Sequence, residues 1–194
     1  LGGEKEEVFF PFIYEDYLYN LLAAVGASHA LFLPFGDIIQ TIPRLKPFSR
    51  RGVLIRLASS VELIDDSYNS NPRALASALK SLASRPAQRK IAVLGDMLEL
   101  GEKEIAFHLD AGKEVVACGW DVLITVGQLS SHLAGAARAA GLDPGHIFSF
   151  ASSEEAAAKA ISLIRTGDLI LVKGSRAMKM DLIADRIKSD FREN

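Results

Sequence analysis

From Gly52 onward the chain predicts an α/β fold: a Rossmann-like, mostly parallel sheet with helices on both faces and an antiparallel strand pair at its start. Three observations carry this. Short, all-apolar runs recur with helical segments between them, the pattern of strands buried on both faces by crossover helices. The first two runs are joined only by Ala58-Ser59-Ser60, too short for a crossover, so they are antiparallel neighbours. Polar turns follow several of the runs, at the strand ends where open sheets of this class present ligands.

Taken in order, Val53 to Leu57 and Val61 to Ile64 are the paired strands. Pro72 suits a first helical turn, and Leu75, Ala78, Leu79 and Leu82 recur at helical spacing behind it. Ile91 to Leu94 is a strand, Glu104 to Ala117 a helix and Val122 to Val126 a strand. The alternation continues with Leu129 to Ala140, Ile147 to Phe150, Glu154 to Ile164 and Asp168 to Val172, and a last helix runs from about Met180 to Phe191. Right-handed crossovers are expected between the parallel strands. Ahead of this domain stand an aromatic stretch (Val8 to Tyr14), a helix from Asp16 to Val25, and a short amphipathic piece capped by Asp37 and stopped at Pro43. PRLKPFSRRG, residues 43 to 52, is the Pro- and Arg-rich connector between the two parts. The opening Leu-Gly-Gly, followed by half a core, suggests a piece of a longer protein.

At 194 residues the chain can bury one good core, or one core plus an appended fragment. A formal charge of -2, with 22 basic against 24 acidic residues, supplies no basic stripe for nucleic acid or an anionic membrane. A lone cysteine, Cys118, and the lack of any long apolar run predict a soluble, cytoplasmic protein without internal disulfides. Cys118 has no basic partner beside it and reads as a structural thiol.

Three strand ends carry chemistry. Asp65-Asp66-Ser67-Tyr68-Asn69-Ser70-Asn71-Pro72 packs carboxylates, carboxamides and hydroxyls between strand and helix, suited to a small polar ligand. Asp66 can accept both hydroxyls of a ribose; Asn69 and Asn71 can bond an amide edge, and Asn71 before Pro72 also reads as a helix cap. Side chains of adjacent strand residues diverge, so Asp65 and Asp66 divide the work of anchoring the loop and meeting the ligand. Gly95-Asp96-Met97-Leu98-Glu99-Leu100-Gly101 allows close backbone approach, with Asp96 orienting a ligand or pinning the loop, and His108 bonding Glu104 on the helix edge. Lys173-Gly174-Ser175-Arg176 makes a carboxylate or phosphate clamp. No G-x-x-x-x-G-K-[ST] phosphate loop is present, and His29, His132 and His146 stand alone, without metal-ligand spacing.

LIDDSYNSNP, VLGDMLELG followed by His108, and LVKGSRAMKM, in this order, closely resemble the C-terminal region of the Mur ligases of peptidoglycan synthesis, in the branch that adds D-alanyl-D-alanine to UDP-N-acetylmuramoyl-tripeptide. YNLLAAVGASHAL resembles the Asn-Ala-Leu-Ala-Ala helix that ends the family's ATP-binding central domain. The resemblance therefore implies that residues 1–50 are a remnant of that central domain and 51–194 the Rossmann-like C-terminal domain. It departs at Tyr14-Glu15-Asp16-Tyr17, where the family has Gly-Arg-His-Asn, at Arg50, where it has glycine, and at Ser70, where alanine is usual.

What the resemblance implies is an ATP-dependent, carbon-nitrogen bond-forming ligase of the cytoplasm, monomeric when complete, and inactive as this piece alone. Its cofactors are ATP and Mg2+, with the phosphate loop and metal ligands expected upstream. By matched position Asn20 reads adenine, Arg51 (or its neighbour Arg50) and Asp66 hold the nucleotide, and Asn69 and Asn71 lie beside it. Lys173, Ser175 and Arg176 face the incoming D-alanyl-D-alanine carboxylate. No catalytic residue and no metal ligand is assigned within the chain. A related ligase of the glutamate-adding type shares the fold, and a non-catalytic Rossmann-like module that binds nucleotide or protein is the alternative from a different class.

Overall fold

The computed structural model describes residues 5–192, so the Leu1-Gly2-Gly3 opening lies outside it. Helix α1 spans Tyr17–Ala30, five residues beyond the expected end at Val25, and closes at Phe32 with a φ of 61°. A single internal glycine, Gly26, costs a helix only about 1 kcal/mol, and the alanines around it carry the helix past. Helix α2, Phe35–Thr41, starts two residues before Asp37. The expectation that Asp37 caps it is therefore corrected: Pro34, with ψ of 134°, supplies the extended entry, and Asp37 lies in the first turn, where a carboxylate suits the helix dipole. Pro43 falls in a single 3-10 turn, Ile42–Arg44. The aromatic stretch forms no regular element; Phe12 meets Tyr17 edge-on and Tyr14 lies tilted against it, with ring centroids 5.3 and 5.8 Å away.

The main domain has six strands, β1 Val53–Leu57, β2 Val61–Asp66, β3 Arg89–Gly95, β4 Val122–Val126, β5 Ile147–Phe150 and β6 Asp168–Lys173. Five helices accompany them, α3 Pro72–Ala83, α4 Glu104–Ala117, α5 Ser130–Ala139, α6 Ser153–Leu163 and α7 Asp181–Asp190. The sheet order is β1-β2-β6-β3-β4-β5, with β1 antiparallel to β2 and every other pairing parallel. The mostly parallel sheet and its opening antiparallel pair are thus as the sequence predicts.

Alternation along the strands splits the core in two. Ile64, Ala92, Leu94, Leu123 and Leu171 face α3, α4 and α5 through Leu75, Leu79, Val115 and Leu133. Leu63, Val93, Ile124, Ile170 and Val172 face α6 and α7 through Ala156, Ala160, Ile183 and Ile187. The chain moves from β2 to β3, β4 and β5 with helices on the first face, then returns to β6 with α6 on the second. Changing face when the direction of travel reverses keeps one hand for all four crossovers. It also drops β6 between β2 and β3, and the ligand-presenting turns meet there. Helix α3 leaves β2 over one face and α7 leaves β6 over the other, so a crevice opens between their carboxyl ends.

Candidate functional site

At that crevice the register sets Asp66 of β2 directly beside Lys173 of β6. The Lys173 ammonium donates to Asp66 Oδ2 at 2.7 Å and to the Asn69 carbonyl at 3.0 Å. Both side chains are buried, 4% and 8% exposed, so this is an ion pair removed from water and not a surface contact. The Tyr14 hydroxyl donates to the same Asp66 oxygen at 3.2 Å. Burial pushes the Asp66 carboxyl above its usual range, against Lys173 and Tyr14, which both favour the carboxylate. Asp65, on the opposite face of the strand, takes the anchoring job: its Oδ1 accepts from the Ser67 hydroxyl at 2.6 Å and its Oδ2 meets Lys188 of α7 at 3.1 Å.

A cleft of about 200 Å³ opens above Asp66, with Arg51, Asn69, Ser70, Asn71, Tyr14 and Tyr17 among its walls. Gly52, at φ +67°, turns the chain so that the Tyr14 ring can lie against it; a Cβ there would stand 2.7 Å from that ring. Arg51 holds its guanidinium 4.1 Å from the centroid of the Tyr68 ring. Arg50 turns away and is tied to Asp181 and Asp185 of α7, so Arg51 is the arginine in the cleft. Asn71 caps α3, its side-chain oxygen accepting from Ala74 N at 2.9 Å. Asn20 lies in an adjoining apolar cleft of about 280 Å³ with Phe12, Leu21 and Phe48; Tyr17 and Arg51 line both spaces.

The other two turns are held from inside. Asp96 Oδ1 accepts from Ser130 N at 2.6 Å, pinning the start of α5, and the Asp96 carbonyl accepts from Ser175 N at 2.9 Å. Fully buried His108 accepts at Nε2 from Met97 N, 3.0 Å, and its Nδ1 lies 2.7 Å from the Glu104 carbonyl. A backbone N–H can only donate, so the ring carries its proton on Nδ1 and is a neutral strut for this loop. His108 bonds Glu104 as expected, but through the backbone carbonyl and from a fully buried position, which corrects its placement on the helix edge. Lys173, Ser175 and Arg176 do not converge: Lys173 is spent on Asp66, Ser175 Oγ accepts from Leu98 N at 2.8 Å, and Arg176 is exposed with its guanidinium 5.8 Å from the Tyr68 ring. Cys118 is inert. Burial and the neighbouring Glu114 push its thiol up to about 11.

Tyr14, Tyr17 and Ser70 are cleft residues that the sequence alone does not single out. The only local signal was that Tyr14 ends an aromatic run and Ser70 lies within the polar turn. Burial, then the facing Asp66 carboxylate, hold the Tyr14 phenol well above its usual range. A raised folded-state value means this contribution to stability is complete below about pH 10 and is lost as pH rises toward the folded value. Between pH 10 and 11 the chain is expected to lose up to about 1.4 kcal/mol more than Tyr14→Phe does, read from urea midpoints. Parallel curves for the two proteins would contradict the contact.

The model of the Mur ligase glutamate ligase domain matches residues 50–176. The chain belongs to the Mur ligase family. It is 31% identical to the UDP-N-acetylmuramoyl-tripeptide–D-alanyl-D-alanine ligase of Escherichia coli, over 95% of this chain and 39% of that protein. A crystal structure of MurF from Acinetobacter baumannii superposes with a TM-score of 0.82 at 30% identity, covering 93% of this chain and 40% of that one. MurF from Thermotoga maritima, crystallised in complex with ADP, shares the fold with a TM-score of 0.74 at 22% identity, over 92% and 39% of the two chains. The chain is a C-terminal Mur ligase domain homologous to the MurF branch, and it spans about two fifths of the length of the curated relatives it matches.

Among the described residues no three His, Cys, Asp or Glu side chains gather as a metal site. None of the described helices is long and apolar enough to cross a membrane. The cleft does fit a nucleoside: a buried acceptor for hydroxyls, a cation beside it and an apolar recess next door.

Proposed function

We propose that this chain is the C-terminal domain of an ATP-dependent amide-forming ligase that adds D-alanyl-D-alanine to UDP-N-acetylmuramoyl-tripeptide in peptidoglycan synthesis. The observation that carries the reading is the Asp66 cleft: a buried carboxylate, oriented by Lys173, at the point where the strand connections part to opposite faces. In this reading Asp66 accepts from ribose hydroxyls, Arg51 offsets phosphate charge, and Asn20 with its apolar recess takes the adenine. Asn69 and Asn71 shape the cleft wall. Lys173 is a positioning residue for Asp66, which leaves the Ser175 hydroxyl proton and the exposed Arg176 guanidinium for the dipeptide carboxylate.

The complete reaction has two steps. A carboxylate oxygen of the tripeptide attacks the γ-phosphorus of ATP and ADP leaves; the dipeptide amine then attacks the acyl carbon, phosphate departs, and the nitrogen loses a proton. The contribution of the cleft is to bind, orient and exclude water while the acyl phosphate exists. Magnesium and the phosphate loop belong to the upstream region in this reading. Residues 1–50 are then the end of the central domain. Their support is chemical: α1 buries none of its residues, and Leu22, Leu31, Phe32 and Phe48 are exposed, a surface suited to packing on preceding chain.

The test is ligation with ATP, Mg2+, D-alanyl-D-alanine and the UDP-muramoyl tripeptide, on the full-length protein beside this chain. Activity is expected only in the full-length protein, with Asp66→Asn mainly raising the KM for ATP and Arg176→Ala that for the dipeptide. Equal losses for both substrates would sink this division of labour. Absence of activity in either protein would favour a nucleotide- or protein-binding module.

A further inference from the structure

Ser70 lies in the wall of the Asp66 cleft, between Asn69 and Asn71, and it is 5% exposed. Its Oγ is buried and has no hydrogen-bond partner, one of two such side-chain atoms among the described residues. The other, Trp120 Nε1, belongs to a residue packed in the core and away from the cleft. A buried hydroxyl without a partner is destabilising, and native folds rarely keep one without a reason. The neighbours suggest the reason. An ionised Asp66 only accepts, so an alcohol that gives its proton to Asp66 still needs a donor for its own oxygen once water is excluded. The Lys173 ammonium gives two of its three N–H groups to Asp66 and Asn69, and the Arg51 guanidinium lies over Tyr68. Ser70 lines the same wall, and its buried, unpartnered Oγ can turn toward the cleft only through a change of χ1 rotamer.

We propose that Ser70 is a specificity-determining residue that donates its hydroxyl proton to a ribose hydroxyl whose own proton goes to Asp66. This rests on the nucleotide reading of the cleft and deepens it: the pair of groups reads a sugar alcohol as donor and acceptor together, and so rejects the deoxy analogue. Sites built to bond a hydroxyl discriminate strongly against its absence, because their own polar groups are then left unpaired.

The experiment is titration of the full-length protein, and of its Ser70→Ala and Asp66→Asn variants, with ADP, 2′-deoxy-ADP and 3′-deoxy-ADP. Ser70→Ala is expected to weaken ADP about fivefold, the worth of one neutral hydrogen bond, while binding of the analogue that lacks the bonded hydroxyl stays unchanged. The unliganded Ser70→Ala protein should melt at the same temperature as the parent or higher, since it loses an unpaired buried group. A merely structural Ser70 would instead lower the melting temperature and weaken all three ligands alike, and that result overturns the proposal. Unchanged discrimination in Ser70→Ala, with discrimination lost in Asp66→Asn, removes Ser70 alone. Unchanged ADP binding in Asp66→Asn removes the nucleotide reading and the Ser70 assignment with it.

Discussion

Asp66→Ala is expected to destabilise the chain by about 3–5 kcal/mol, the cost of leaving a buried charge without its counterion. In the parent, the Lys173 side chain is 4% exposed, and its ammonium keeps only the Asn69 carbonyl once the carboxylate is gone. Two opposing terms meet in this pair. Taking both ions out of water costs several kcal/mol each, and their attraction at 2.7 Å offsets that only while both are present. The single variant keeps the desolvation of the lysine and loses the attraction. Lys173→Met in the same chain removes the stranded charge at similar length, so the double variant is expected to recover most of the loss. Urea unfolding of the four proteins closes the cycle. If Asp66→Ala stays within about 1 kcal/mol of the parent, or the double variant is as unstable as the single one, the buried pair is not what holds this edge of the sheet. The pair also decides how nucleotide binding is probed. Asp66→Asn keeps an acceptor for Lys173 and separates ligand effects from folding, whereas Asp66→Ala mixes them.

The second large effect lies far from the cleft. Helices α4 and α5 cross so closely at Gly112 that an added Cβ would stand 2.2 Å from the Leu133 carbonyl oxygen, 2.8 Å from Ala136 Cβ and 3.0 Å from Ala137 N. Two of these three atoms are backbone, so no rotamer change makes room and the helices must separate. Helix propensity favours alanine over glycine by about 1 kcal/mol. Overpacking of this kind costs about 3 kcal/mol, so Gly112→Ala is expected to destabilise by a net of about 2 kcal/mol. Gly135, inside α5, has nothing within 4 Å of where its Cβ would be. There only the propensity term acts, and Gly135→Ala is expected to stabilise by up to about 1 kcal/mol. Thermal or urea melts of the two variants should therefore move in opposite directions. Stabilisation in both would show that helix propensity and not the helix crossing governs these positions.

The sequence by itself determined the elements and which face of each is buried. Leu75, Ala78, Leu79 and Leu82 at helical spacing had to face a core, the apolar runs at β3, β4 and β6 had to be buried on both sides, and Asn71 before Pro72 had to start a helix. These follow from local chemistry, in which backbone preference and hydrophobic period act within a few residues. At Asp37 the same local chemistry misleads, because Pro34 three residues earlier sets the entry to α2 and leaves Asp37 in the first turn. Only the tertiary structure decided what the functional side chains meet. Lys173 finds Asp66 because β6 inserts beside β2, and Tyr14 reaches the same carboxylate across 52 positions of chain. His108 braces Met97, and Arg50 is drawn off to α7 while its neighbour Arg51 turns to the cleft. Each of these contacts is set by strand order and by which face a helix covers. Those are properties of the whole packed chain, and they leave no signature in the residues next door.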